Sequence, residues 1–119
     1  MTASGFTATM ATADLLLGLL DRVPMSEAQI ARATLADPAT IQAWLRRQEA
    51  PAGLEAQRLT ELVSFVEEMA RNIRGDALPE WLDRDIPFLD GGNPLDELAA
   101  GGYERLIQLA LGLTHSVFT

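Results

Sequence analysis

The stretch LEAQRLTELVSFVEEMARNI places Leu59, Leu62, Val63, Val66, Met69, Ala70 and Ile73 at helical spacing, with Arg58, Glu61, Glu67 and Glu68 outside the stripe. Side chains three and four positions apart share one face of an α-helix, so this segment folds stably only by laying that face on other elements. It predicts the longest helix of the chain, closed by Gly75. No segment alternates apolar and polar residues as a half-buried strand does. The expectation is therefore an all-α chain, a compact bundle of about six to seven helices.

The other elements follow from local signals. DLLLGLLDRV carries Leu16, Leu19, Leu20 and Val23 on one stripe and is stopped by Pro24, predicting a first short helix from Asp14. SEAQIARAT opens with Ser26 and Gln29, the spacing of a reciprocal N-terminal cap. DPATIQAWLRR offers Asp37 as N-cap and Pro38 at the first helical position, predicting a third helix to about Arg47. EAPAG then punctuates the chain. From Asp76 to Gly102 lie three of the six prolines and four of the nine glycines. This part reads as two short helices, around Trp81 and over Leu95 to Leu98, joined by the loop DIPFLDGGN. Trp81 reads as an aromatic anchoring its short helix on the core. A last helix starts near Tyr103, with Leu106, Ile107, Ala110 and Leu113 on its stripe. Residues 1–12, Thr-rich and aperiodic, read as a loosely held arm. Residues 13–52 form one subdomain and 53–119 a second, within one compact unit.

Two short helices joined by a tight turn, with Ile30, Ala31, Ile41 and Trp44 apolar, match a helix-turn-helix. Its second helix would present Ala39, Thr40, Gln42, Ala43, Arg46 and Arg47 to DNA, with Gln42 suited to adenine and the arginines to phosphate. Against this stands Leu35, at the turn position where glycine usually supplies a left-handed backbone. From Ser26 to Ala50 three arginines balance three carboxylates, and the whole chain carries −8, which opposes the field of a nucleic-acid coat.

Other functions are constrained by what is missing. Without cysteine, and with His115 as the one histidine, the usual thiolate and His-rich metal sites and thiol chemistry have no donors. Ser116 beside His115 is not a catalytic pair by adjacency, the Glu67–Glu68 and Asp83–Asp85 pairs read as solvated helix faces, and GGN and AGG read as turns. The expectation is a protein that is not an enzyme and uses no cofactor. The N-terminal residues lack the basic start and apolar run of a signal peptide, and no segment reaches membrane-spanning length, so a cytoplasmic location is expected.

In their order along the chain, IARATLADPATIQAWLRRQEAP, QRLTEL and WLDRDIPFLDGGNPLDELAAGGYERLIQLAL resemble the Xre/MbcA/ParS family of bacterial antitoxins, from about Ser26 onward. The resemblance implies neutralisation of a RES-domain toxin, an enzyme that consumes or transfers ADP-ribose from NAD. It implies that the C-terminal half binds the toxin and that the chain end is pushed toward the toxin's NAD pocket. Operon repression through the N-terminal half, with operator DNA as a second partner, belongs to the same expectation. Residue by residue, it assigns toxin binding to the stretch from Gly91 to Gly102, including Asn93, to Tyr103 at the start of the last helix, and to Thr114, His115, Ser116, Val117, Phe118 and Thr119. Phe88 and Leu89, in a Gly/Pro-rich loop, are expected to be exposed and to join that face. The Thr119 carboxylate would pair with arginines of a phosphate-attracting pocket, and His115 would hydrogen-bond at its mouth.

Leu109 and Leu111 lie off the main stripe of the last helix, which predicts a second apolar face and a homodimer or a hetero-oligomer with the toxin. The rival reading is a stand-alone helix-turn-helix repressor whose C-terminal half dimerises.

Overall fold

In the computed structural model the backbone is described for residues 2–89 and 91–116, and side chains for 11–87, 89 and 91–113. Seven α-helices and no strand occur among the described residues: α1 Thr2–Leu20, α2 Glu27–Thr34, α3 Pro38–Leu45, α4 Gly53–Met69, α5 Leu78–Leu82, α6 Pro94–Ala99 and α7 Tyr103–Ser116. A 3-10 turn, Pro87–Leu89, lies between α5 and α6. The all-α expectation holds.

The pivot is α4. Leu59, Leu62, Val63, Phe65, Val66 and Met69 are buried on it, an arc wide enough to serve several neighbours, and α4 packs against α1, α2, α6 and α7. Each such side chain contributes about 1.5–3 kcal/mol when fully buried. The helix itself ends at Met69, earlier than Gly75, and hydrogen-bonded turns carry the chain on to a partly buried Ile73. Gly75 acts differently from a helix stop: a Cβ there would collide with the Arg22 carbonyl, so the two segments touch backbone to backbone. Arg22 also pairs with Glu67 at 3.2 Å, which sets the C-terminal ends of α1 and α4 side by side.

Residues 2–12, expected as an arm, belong to α1 instead. Buried Ala13, Leu16 and Leu19 hold its C-terminal part on the core, followed by Val23 in the turn beyond. Ser26 and Gln29 cap α2 reciprocally, as their spacing predicts. Asp37 takes the extended N-cap backbone of α3 but makes no side-chain cap bond. Trp44 is fully buried, and its indole Nε1 finds no hydrogen-bond partner among the described residues. Trp81 is partly buried, its ring 6.2 Å from that of Phe65.

The join between α6 and α7 is made by two glycines. Gly101 N–H donates to Leu98 O and Gly102 N–H to Glu97 O, which closes α6, while Gly102 O accepts from Leu106 N–H and so starts α7. Gly101 has φ +91°, and a Cβ on Gly102 would overlap the Glu97 side chain.

Candidate functional site

The C-terminal face is built on α6 and α7. Asn93 is 5% exposed and its side chain accepts from Asp96 N–H at 3.0 Å, capping α6. Its polar group is thus used within the fold. The loop before it closes on itself, with Ile86 N–H donating to Gly92 O at 2.9 Å and Gly91 N–H to Ile86 O at 3.3 Å. That closure turns Leu89 into the core at 5% exposure, which corrects the expectation that it is exposed. The Phe88 side chain lies outside the described residues.

On α7, Leu106 and Ala110 are buried, while Tyr103, Ile107 and Leu109 are partly buried. Leu113, expected on the core stripe, is exposed, and so is Leu111. The helix itself runs on past these two residues to Ser116. The side chains of Thr114, His115 and Ser116 lie outside the described residues, as do Val117, Phe118 and Thr119 entirely.

In the N-terminal half, α2 and α3 pack against each other across the turn Leu35–Asp37. The Thr34 hydroxyl donates to Ile30 O at 2.8 Å and accepts from Ala36 N–H at 3.3 Å, closing that turn from inside. Leu35 adopts φ 64°, ψ 21°, the left-handed backbone that glycine accepts without cost, and is 65% exposed. Of the proposed DNA-facing residues, Ala39, Gln42, Arg46 and Arg47 are exposed, whereas Thr40 and Ala43 are partly buried. Two of the exposed ones are engaged within the chain. Gln42 donates to Glu27 at 3.2 Å, and Arg47, itself left-handed at φ 59°, pairs with Asp14 of α1. Arg46 makes no ion pair with the described residues, and on the same segment the carboxylates Glu27, Asp37 and Glu49 are exposed as well.

A polar cluster missed at the level of sequence ties the two halves together. Arg32 donates to both oxygens of Asp96, and Asp83 lies 3.6 Å from it. Buried Gln29 donates to Pro79 O at 2.7 Å and to Asp83 at 3.0 Å. The bonds from Arg32 hold the Asp96 carboxyl below the ordinary carboxylate range and raise the guanidinium in turn. No sequence spacing signals contacts between α2 and elements fifty or more positions away.

Among the described residues no three His, Cys, Asp or Glu side chains gather as a metal site would require, and no helix is long and apolar enough to cross a membrane.

No family model matches the chain. It is 25% identical over 101 residues to the mycobacterial cidal antitoxin MbcA of Mycobacterium tuberculosis and of Mycobacterium bovis, covering 85% of this chain and 89% of theirs. Its fold superposes on a chain of the crystal structure of the M. tuberculosis MbcT–MbcA toxin–antitoxin complex with a TM-score of 0.78 at 24% identity, over 90% of this chain and 96% of that one. Sequence similarity across most of both chains, together with the fold shared with a chain of that complex, supports placing this protein among the relatives of MbcA.

Proposed function

We propose that the chain is an antitoxin without catalytic activity of its own, acting in a toxin–antitoxin pair. Its partner on this reading is a RES-domain toxin that consumes NAD, and inhibition is steric: the segment beyond Leu113 enters the NAD pocket. Similarity to MbcA across most of both chains supports the antitoxin role. The observation that carries the choice of site is α7, which runs to Ser116 while Leu111 and Leu113 leave the core. An exposed apolar pair on a hydrogen-bonded rod suits burial in a partner's cleft, where a few apolar anchors supply most of the binding energy. Charge supports the same end of the molecule: after Gly75 the sequence holds eight carboxylates against two arginines. A pocket that attracts the phosphates of NAD is cationic and would be complementary to it.

Tyr103, at the base of α7, and the tail from Thr114 to Thr119 remain the contact residues of this proposal, with Phe88 beside them. Leu89 and Asn93 act from within, shaping the loop and capping α6. Operon repression through α2 and α3 draws less support, because Gln42 and Arg47 are engaged within the chain and the arginines of this segment are balanced by as many carboxylates.

Removing residues 114–119 tests the site. The truncated chain is expected to keep its helical circular dichroism and its melting temperature within a few degrees, yet to leave the co-expressed toxin's NAD consumption unchecked. Full protection of cells by the truncated chain would defeat the occlusion mechanism.

A further inference from the structure

The backbone that leads into α7 has little steric preference of its own. Between Ala100 and Tyr103 stand only Gly101 and Gly102, and glycine accepts a wider range of φ and ψ than any residue with a Cβ. Beyond the hydrogen bonds that close α6, the joint is held by side chains brought to it. Glu97 of α6 fills the space beside Gly102, and Arg58 of α4 fills the space beside Gly101. A Cβ on Gly101 would stand 3.1 Å from Arg58 Nη2 and 3.8 Å from its Cζ.

Of the nine arginines eight are exposed, whereas the Arg58 side chain is only 13% exposed. Its Nη1 donates to Glu61 at 3.1 Å, but Nε is buried with no hydrogen-bond partner among the described residues. An enclosed cation with an unmade bond does not favour folding, and an uncharged side chain of similar length would fill the site as well. Stability alone therefore gives no reason for an arginine here. Its shape and charge do. A rigid planar head lies along a bare glycine as a rounded ammonium does not. The cation also stands at the carbonyl end of α6, while the Glu97 carboxylate stands at the amide end of α7, each charge matching the helix end it meets.

We infer that Arg58 is a positioning residue for inhibition of the toxin: wedged between α4 and Gly101, it sets the direction in which α7 leaves the body. That role rests on the occlusion proposed above, in which the end of α7 has to find a pocket. Leu106 and Ala110 seat the helix on the core, and Arg58 fixes its heading at the start.

Two variants test the role. Arg58→Lys keeps a charge beside Glu61 and loses the plane, while Arg58→Met combined with Glu61→Gln removes the ion pair without stranding a carboxylate. The chain has no cysteine, so Ala28→Cys on α2 and Gly112→Cys on α7, both exposed positions, take spin labels at two defined sites. Pulsed electron paramagnetic resonance on the chain alone should show the distance distribution between them displaced or widened by about 2–3 Å in both variants. Helical circular dichroism and melting temperature should stay close to the parent's. In the unlabelled chains, the antitoxin concentration that halves the toxin's NAD consumption should rise about tenfold or more. An unchanged distribution in both variants would overturn the inference and leave the heading of α7 to Leu106 and Ala110. So would an altered distribution with undiminished inhibition, or a loss of helicity in both variants, which would make Arg58 a residue of stability alone. The distance is read without the toxin, so it judges Arg58 separately from occlusion, whose own failure shows in the chain lacking residues 114–119.

Discussion

The Arg32 guanidinium grips Asp96 with two hydrogen bonds, Nε to Oδ1 at 2.7 Å and Nη2 to Oδ2 at 2.8 Å, across 64 positions of sequence. A planar fork meeting a carboxylate in this way fixes orientation as well as distance. It fastens α2 to α6, and with Gln29 on Pro79 and Asp83 it makes α2 as much a part of the C-terminal half as of the N-terminal one.

Asp96→Asn should lower stability by about 0.5–1 kcal/mol at neutral pH, a small figure because about half of each side chain remains in water. The folded carboxyl lies below its unfolded value, so this stability is fully present above about pH 4 and is lost as pH falls through the folded value. Urea unfolding of both proteins at pH 7 and near pH 3 checks this. The gap between them should close in acid, and a gap independent of pH would dissociate Asp96 from the effect.

Leu35→Gly should raise stability by about 0.5–1 kcal/mol. The left-handed backbone is relieved, and part of the gain is returned through the greater freedom of glycine in the unfolded chain. A rise of a few degrees in the melting temperature of the dilute protein is the expected reading.

Two glycines should respond oppositely to alanine. Gly18 faces open space within α1, so Gly18→Ala should stabilise by about 0.5–1 kcal/mol through helix propensity. Gly75→Ala drives a methyl into the Arg22 carbonyl and should cost about 1–3 kcal/mol. Chemical denaturation of the pair against the parent gives both signs in one experiment.

Asn93→Ala removes the side-chain cap of α6 and should destabilise by about 1 kcal/mol, whereas Asn93→Asp should cost less because a carboxylate also accepts from Asp96 N–H. Equal losses for the two would show that the cap bond is not what Asn93 contributes.

Much of this architecture was legible because it is local. The α4 stripe, the Ser26–Gln29 cap and the glycines after α6 are short-range patterns whose physics is complete within a few residues. Leu35 could even be recognised as a residue in a glycine's place. What escaped was non-local. Residues 2–12 carry no apolar period, yet they continue as helix with the rest of α1. Leu89 looked exposed because Gly and Pro surround it, but the loop folds back through Ile86 and Gly92. Arg47 looked free until α1 brought Asp14 to it. Leu113 fits the stripe of α7, and periodicity has no means of showing where the neighbouring helices stop.

The glycine pair at 101 and 102 makes α7 a lever on a two-residue fulcrum. Its fourteen residues give an arm of about 21 Å, so a rotation of roughly 10° at the joint carries the tip sideways by about 3.5 Å, close to the thickness of an aromatic ring. On the proposed reading, where the far end of α7 would meet a partner is therefore set in part at its root, by one left-handed glycine and by the Glu97 side chain that leaves Gly102 no room for a methyl group.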